Sequence, residues 1–388
     1  MKKFKTAVFG TGFVGRVHLE GIRRLGYVEL YAIGEPQIEK ANQLAAEFGV
    51  QKTEADYRRI LEDPSVDAVH VCTPNFMHAP IAKDALLAGK HVICEKPLAT
   101  SVKEAQDLVE TARATKRRNS TSHNLRFYPM VQHMRRMRED GDLGEILVVQ
   151  GTYSQDWLLY DTDWNWRLDS KANGPSRTLA DIGSHWCDMA EHVTGQRITS
   201  VCADLQTFHK VRKAPKGPVE TFAGKMLKPE DYQEVPIDTE DFGAVLIRMG
   251  DRTRGAFTAS QVSAGCKNGL RIEIYGTKCG VAWNQERPDE LWIGNRNTNN
   301  QIIIKDPSLL KEKAKSYADL PGGHSEGYDD TFKQIFRRFY KSIEDPEAEP
   351  EYPQFVDGLR QLTILEAELA SNANRAWVDV PAMQAAKA

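Results

Sequence analysis

Three side chains, Lys96, Asp181 and His185, are of the types that move protons at a reacting centre. Asp181 and His185 stand in Asp181-Ile182-Gly183-Ser184-His185, at the start of an amphipathic run that continues through Met189 to Val193. A spacing of i and i+4 puts both on one face of a helix, where the carboxylate raises the basicity of the imidazole. Histidine is the natural general base near neutral pH, although a single helical histidine serves a purely structural role in many folds. Lys96 sits in Glu95-Lys96-Pro97, directly after the apolar run His91-Val92-Ile93-Cys94. That run reads as a buried strand of a parallel sheet, so the tripeptide lies at the strand's carboxyl end, where open α/β sheets bind ligands. Pro97 biases Lys96 towards an extended backbone. A strand-terminal salt bridge is the plain alternative, and the surrounding chain decides between the two.

The elements that must position these groups begin upstream. Thr6-Ala7-Val8-Phe9 is a short apolar strand, Gly10-Thr11-Gly12-Phe13-Val14-Gly15 follows without a gap, and a helix runs from about Arg16 to Leu25. A G-x-G-x-x-G turn between strand and helix is a dinucleotide fingerprint. Gly10 permits the turn, Gly12 lets the backbone approach a pyrophosphate, and Gly15 allows close helix packing, with N–H groups at the helix start holding phosphates. A glycine turn that merely packs is the competing reading. The next strand ends at Gly34-Glu35, twenty residues beyond Gly15, the position from which a carboxylate bonds the adenosine ribose. The charge of Glu35 opposes a 2′-phosphate and so favours NAD over NADP. Strand and helix signals then alternate through Asp67 to Cys72, Pro80 to Ala88, the Glu95-Lys96-Pro97 strand and a last short strand around Ser120 to His123. This completes a doubly wound parallel sheet. Thr73-Pro74-Asn75-Phe76-Met77-His78 lies at a second strand terminus facing the same crevice, and in isolation it is also good turn chemistry.

From Glu145 onward, consecutive strands with short turns replace that alternation, as at Ile146 to Tyr153, Ile198 to Thr207, Phe242 to Met249 and Arg254 to Val262. The expected class is therefore α/β, with a doubly wound Rossmann domain over residues 1–125 and an α+β domain carrying a large, mostly antiparallel open sheet over residues 126–388. Two helices near the C-terminus, about Asp329 to Ser342 and Gln354 to Asn372, fall in the second of these. The polar stretch from His209 to Asp238, with Lys210, Arg212, Lys213 and Lys216, reads as a solvated surface loop. Between Tyr153 and Arg167 five aromatic rings alternate with Asp156, Asp161, Asp163, Asn165 and Arg167. Flat apolar rings among fixed hydrogen-bonding groups suit a small ligand such as a sugar or cyclitol, and core packing is the alternative for the same rings.

A formal net charge of −3 over 388 residues gives no electrostatic case for nucleic acid or an anionic membrane surface, so the expected partner is a small molecule. Met1-Lys2-Lys3-Phe4 leads at once into a strand and a glycine turn, and no apolar run is long enough to span a bilayer, which predicts a cytoplasmic protein. The six cysteines are scattered, form no C-x-x-C and indicate neither a disulfide framework nor a metal site.

The glycine turn, Thr73-Pro74-Asn75-x-x-His78, Glu95-Lys96-Pro97 and Asp181-x-Gly-x-His185, in this order and at these separations, resemble the Gfo/Idh/MocA oxidoreductases over nearly the whole chain. The resemblance implies a nicotinamide cofactor, NAD ahead of NADP, lying between the two domains, and an open sheet that often mediates homodimers or homotetramers. It assigns Lys96, Asp181 and His185 to the catalytic group. Gly10, Gly12, Phe13, Val14, Gly15, Glu35, Thr73, Pro74, Asn75 and His78 then line the cofactor site, with Glu95 and Asn124 beside the nicotinamide end. Trp166-Arg167 resembles a pair that lies close to cofactor or substrate in relatives. Asp156, Trp157 and the His324 loop resemble segments of members that act on sugars and anhydrosugars, which makes them candidate substrate contacts with Lys96, Asn124, Arg167, Asp181 and His185; a loop cap is the alternative for His324. The implied reaction is hydride transfer between nicotinamide and a secondary alcohol of a sugar, anhydrosugar or cyclitol. Two other readings stay open: a redox-neutral, NAD-dependent glycosidase of the same family, and a non-catalytic NAD-binding sensor. The presence of all three acid-base residues speaks against the sensor.

Overall fold

The computed structural model describes residues 3–217 and 227–383, which divide into two compact units. The first takes the chain through Phe127 and again over Tyr328–Leu362, and the second takes Tyr128–Gly327 and the residues from Thr363 onward.

Six strands form the sheet of the first unit: β1 Phe4–Phe9, β2 Val28–Gly34, β3 Lys52–Glu54, β4 Ala68–Val71, β5 His91–Cys94 and β6 Asn119–Thr121. They lie in the order β3-β2-β1-β4-β5-β6, with every pairing parallel. β4 is buried at all of its positions, as a central parallel strand covered on both faces must be. The crossovers are α1 Phe13–Arg23, α2 Ile38–Phe48, α3 Tyr57–Leu61, α4 His78–Leu87 and α5 Val102–Thr115. Strand order reverses between β1 and β4, so the turns after these two strands flank the switch point at which doubly wound sheets take their ligands.

The second unit opens with α6 Pro129–Glu139 and β7 Ile146–Ser154, followed by the short α7 Ser170–Asn173, α8 Ser184–Thr194 and β8 Ile198–Gln206. Next come β9 Val211–Pro215 and β10 Tyr232–Pro236, then β11 Phe242–Met249, β12 Thr253–Ser260 and β13 Gly269–Gly276. β14 Gly280–Asn284, β15 Glu290–Gly294 and β16 Gln301–Ile304 complete the run. Apart from the β9–β10 pair, these strands join the late strand β17 Val378–Asp379 in one sheet, ordered β16-β15-β14-β13-β7-β12-β11-β8-β17. β7 and β12 pair in parallel and the other neighbours are antiparallel. Along β11, buried positions alternate with partly and fully exposed ones, the pattern of a sheet with one covered face. Trp186 fixes α8 on that covered face: it is fully buried, stacks on Phe257 of β12 at 4.5 Å and donates its indole N–H to Arg271 O of β13. Gly151 of β7 leaves the room, since a Cβ there would come 2.7 Å from the Trp186 nitrogen.

The solvated loop expected between His209 and Asp238 is corrected by the β9–β10 pair, an antiparallel ribbon with Arg212 buried in its first strand. The middle of the expected loop, residues 218–226, lies outside the described residues. Arg212 explains the ordering: its guanidinium donates to the carbonyls of Leu158 and Tyr160 at 2.9 and 2.8 Å and to Asp241 at 2.8 Å. An irregular segment has backbone carbonyls to satisfy, and a buried arginine fork meets several at once.

Two long helices close the chain, α9 Tyr328–Glu344 and α10 Phe355–Asn374. α9 belongs to the first unit, where it lies on α1 with Phe332 and Phe336 almost completely buried. A Cβ at Gly21 of α1 would come 2.9 Å from the Phe336 ring, so the glycine is what lets the two helices close.

Candidate active site

In the first unit the glycine turn separates into walls and an opening. Gly10 adopts φ +93°, and a Cβ there would lie 2.6 Å from Cys72 O; a Cβ at Gly15 would strike Gly10 O. Around Gly12, by contrast, nothing lies within 4 Å of where a Cβ would project. α1 begins at Phe13 with no side-chain cap and no acidic residue in its first turn, so its positive dipole end favours an anion. Phe13 is exposed and Val14 half-buried beside this opening. Glu35, just past β2, accepts from Thr11 N at 3.2 Å, Thr11 Oγ1 at 2.8 Å and Gln37 N at 3.2 Å, so its carboxylate is held at the mouth of the turn.

The turn after β4 carries Thr73, Pro74 and Asn75. The Thr73 Oγ1 atom is buried and has no hydrogen-bond partner among the described residues, an open valence of the kind a bound ligand fills. The open face over Gly12, the bare helix start and Thr73 Oγ1 together fit a dinucleotide. His78 ties two strand-end turns together, with Nε2 2.8 Å from Thr73 O and Nδ1 2.7 Å from Pro97 O. Burial pulls its pKa down against the raising influence of those two carbonyls. Beyond β5, the Lys96–Pro97 peptide is cis, and Glu95 Oε2 accepts from the Lys96 backbone N–H at 3.3 Å. Burial pushes the Glu95 carboxyl up, but the hydrogen bond of His18, the charge of the Lys96 ammonium and the Ser122 hydroxyl leave the pKa below its ordinary value. Asn124 is buried and donates to Thr331 Oγ1 of α9 at 2.7 Å.

In the second unit Asp181 and His185 sit on an irregular helix start. Leu179–Gly183 form a single π turn that runs directly into α8. Asp181 lies in the wide turn and His185 in the first regular one, and such bulges recur at functional sites because they re-aim a side chain. Asp181 Oδ2 accepts from Gln261 Nε2 at 2.8 Å, and its Oδ1 lies 3.9 Å from Arg167 Nε. Gln261 is in turn fixed through its Oε1, which accepts from Thr178 Oγ1 at 3.3 Å. His185 is 7% exposed, with the Tyr153 ring 6.3 Å away between centroids. Burial, reinforced by the charge of Asp181, pushes the Tyr153 phenol up, so it stays protonated.

The aromatic run folds as a strap whose residues divide. Trp157 and Trp164 pack on Leu158, Leu168 and Ile237, and Trp157 donates to Gln155 Oε1 at 2.8 Å. Asp156 pairs with Lys267 at 2.6 Å, and Asp161 with Lys213 at 2.8 Å. Arg167 lies over the Trp166 ring at 4.6 Å and reaches towards Asp181, which brings the end of the strap to that carboxylate. His324 is exposed, with Nδ1 3.2 Å from Gly322 O of its own loop, and its carbonyl accepts from the buried Lys305.

Sequence reasoning missed Gln261, Arg212 and, in the first unit, His18 and His70. Only His18 carried a signal, since it follows Gly15 by three residues and so turns inward beside it on α1. Among the described residues no group of three or more His, Cys, Asp or Glu is placed to hold a metal ion, and no helix is long and apolar enough to cross a membrane.

A six-stranded parallel sheet with a dinucleotide turn, followed by a separate unit built on a large, mostly antiparallel sheet, defines the class of two-unit pyridine-nucleotide oxidoreductases. Residues 4–123 match the oxidoreductase family, NAD-binding Rossmann fold, of GFO/IDH/MocA, and residues 131–282 match the GFO/IDH/MocA C-terminal domain. The chain belongs to the Gfo/Idh/MocA oxidoreductase family, and its first unit is an NAD-binding Rossmann domain. Levoglucosan dehydrogenase of Pseudarthrobacter phenanthrenivorans is 29% identical over 99% of this chain and 100% of the relative. Glucose-6-phosphate 3-dehydrogenase of Bacillus subtilis is 25% identical over 98% of this chain and 99% of its own. Among solved structures, levoglucosan dehydrogenase in complex with NADH and L-sorbose superposes with a TM-score of 0.88 at 28% identity, covering 99% of this chain and 100% of that one.

Proposed function

We propose that this protein is an NAD-dependent dehydrogenase acting on a secondary alcohol of a sugar, anhydrosugar or cyclitol. The observation that carries the proposal is the Asp181 carboxylate, held by Gln261 and approached by Arg167, one turn before the buried His185. Bound NAD supplies the hydride acceptor. His185 takes the proton of the substrate hydroxyl, Asp181 orients the imidazole and supports its positive charge, and Lys96 donates to the same oxygen as negative charge develops on it. Glu35, fixed by Thr11 and Gln37, bonds the ribose hydroxyls and disfavours a 2′-phosphate. The substrate class rests on the relatives, which are named for levoglucosan, glucose-6-phosphate and inositol. Assembly into a homodimer or homotetramer through the open face of the large sheet, where Leu246 is exposed, belongs to the same reading.

The test is a spectroscopic screen of the purified protein with NAD or NADP and a panel of monosaccharides, anhydrosugars, inositols and glycosides, following the absorbance of reduced nicotinamide. Reduction with one sugar class, faster with NAD than with NADP, is the expected result. His185→Asn and Lys96→Ala should each lower kcat by about a hundred- to ten-thousand-fold while NAD binding persists. Turnover near wild type in either variant would remove that residue from the mechanism. Cleavage of a glycoside with no net reduction of added NAD would replace the dehydrogenase by the redox-neutral reaction.

A further inference from the structure

Behind Glu95 four side chains from four separate elements stand in a buried file: Tyr340 of α9, His70 of β4, His18 of α1 and Glu95 at the end of β5. Tyr340 Oη to His70 Nε2, His70 Nδ1 to His18 Nδ1, and His18 Nε2 to Glu95 Oε1 are each 2.9 Å. Tyr340, His70 and His18 are fully buried. None of the first three has a part in the proposed reaction.

The directions of the three bonds follow from the donors available. A neutral imidazole donates from one nitrogen and accepts at the other, and a carboxylate only accepts. His18 therefore donates from Nε2 to Glu95, which leaves its Nδ1 to accept. His70 must then donate from Nδ1, and its Nε2 accepts from the Tyr340 hydroxyl. All three bonds point the same way, from phenol to carboxylate, with both histidines neutral and every nitrogen satisfied. Adding one proton to the file gives the other fully bonded arrangement, in which His18 is an imidazolium and the two bonds beyond it reverse. That state places a cation between the rings of Phe332 and Phe336, 5.3 and 4.7 Å from His18, where no water reaches it. Glu95 does not require that cation, because Lys96 already stands beside it as a positive charge. Burial, with the charge His18 would carry, also holds the His70 imidazole well below its ordinary value.

We propose that His18, oriented by His70 and Tyr340, is a positioning residue: a neutral Nε2–H donor that fixes the Glu95 carboxylate in place under the Lys96 backbone. It also links α1, which starts at the dinucleotide turn, to the segment that carries Lys96. The functional half of this inference rests on the role proposed for Lys96; the bonding half does not.

The experiment is long-range ¹⁵N–¹H NMR of the full-length, histidine-labelled protein near neutral pH, with His18→Gln and His70→Gln used for assignment. The expected result is two neutral rings of opposite tautomer, Nε2–H at His18 and the rarer Nδ1–H at His70. An imidazolium at His18, or the same tautomer at both, overturns the proposal. Tyr340→Phe keeps the ring and removes the donor to His70 Nε2; His18 still accepts at Nδ1, so the His70 ring should keep its Nδ1–H while its Nε2 resonance moves to that of an unbonded nitrogen. A His70 ring that turns to the Nε2–H tautomer, or whose signals stay identical to wild type, would also overturn it. In the screen described above, Tyr340→Phe should lower kcat about tenfold with little change in KM, the rate equivalent of one misplaced hydrogen bond. Unchanged kcat with the His70 Nε2 resonance shifted would refute the positioning role. Absence of turnover in the wild type, with the tautomers as expected, would count against the dehydrogenase reading and leave the bonding half standing.

Discussion

The ligand end of the first unit and the Asp181–His185 segment of the second are built on opposite plans. In the first unit the candidate residues fall within two positions of a strand end: Gly10 after β1, Glu35 after β2, Thr73 after β4 and Glu95 after β5. Parallel strands deliver these turns to one edge, so the backbone alone gathers them. Asp181 is gathered differently. Its carboxylate is held by Gln261, 80 residues further on, and the segment leading into its π turn is held by Glu240, which accepts from Ser176 Oγ, Arg177 N and Leu179 N. Behind that segment Arg177 and Arg212 share the buried Asp241. A site assembled by the backbone resists loss of a side chain, and one assembled by buried long-range pairs does not.

The harshest way to break the contrast is Arg212→Met. It leaves the carbonyls of Leu158 and Tyr160 without this donor and the fully buried Asp241 with one cation fewer. Loss of one partner of a buried pair costs about 3–5 kcal/mol, to be read as a lower denaturant midpoint. A loss below about 1 kcal/mol, within the range of exposed pairs, would mean that the strap stands without the cluster.

Next in size is a pH effect from the same region. Glu368 of α10 is buried, and burial together with the nearby charge of Glu240 pushes its carboxyl up to about 8 from an ordinary 4.5. Between those two values the folded chain keeps a proton that the unfolded chain releases, so raising the pH favours unfolding. Stability should fall by at most about 1.4 kcal/mol per pH unit across this window and level off above it. Glu368→Gln should remove that slope, leaving stability near pH 5 little changed and raising it near pH 8. Equal slopes in the variant and the wild type would show that the folded protein ionises Glu368 at its ordinary pKa.

These partners mark where reading the sequence stopped. The glycine turn, Glu35 and Glu95-Lys96-Pro97 were legible because motif and strand end fall within a few residues of each other. Asp181 and His185 were legible as a pair, but the π turn that sets their relative angle was not, since it depends on Glu240, just before β11, and Gln261, just after β12. Arg212 looked like a solvated charge in a polar stretch; only the carbonyls of the strap give it a reason to be buried. Likewise nothing in residues 328–344 says that the apolar face of α9 meets α1. Gln261→Ala tests the first of these partners at smaller cost. Asp181 loses one amide donor, and kcat should fall about tenfold, with a shifted pH profile and little change in KM. A change in KM alone would place Gln261 against the substrate instead of behind Asp181.

The smallest expected effect on stability belongs to Gly12→Ala, and it sharpens the comparison most. Gly12 has φ −67° and ψ −173°, extended backbone that alanine adopts freely, and nothing lies within 4 Å of the added methyl. The protein itself therefore gives no reason for glycine there, whereas at Gly15 the backbone of Gly10 does. The melting point without ligand should stay within the change expected of a neutral surface substitution, about 0.5 kcal/mol. If the open face over Gly12 is where the pyrophosphate lies, the methyl takes its place, and the stabilisation that NAD confers on the wild type, about 2.7 kcal/mol at a hundredfold excess over Kd, should largely vanish. A variant that melts low without NAD would make Gly12 a folding residue like Gly15. One that melts normally and still gains the full shift from NAD would move the phosphates away from the start of α1.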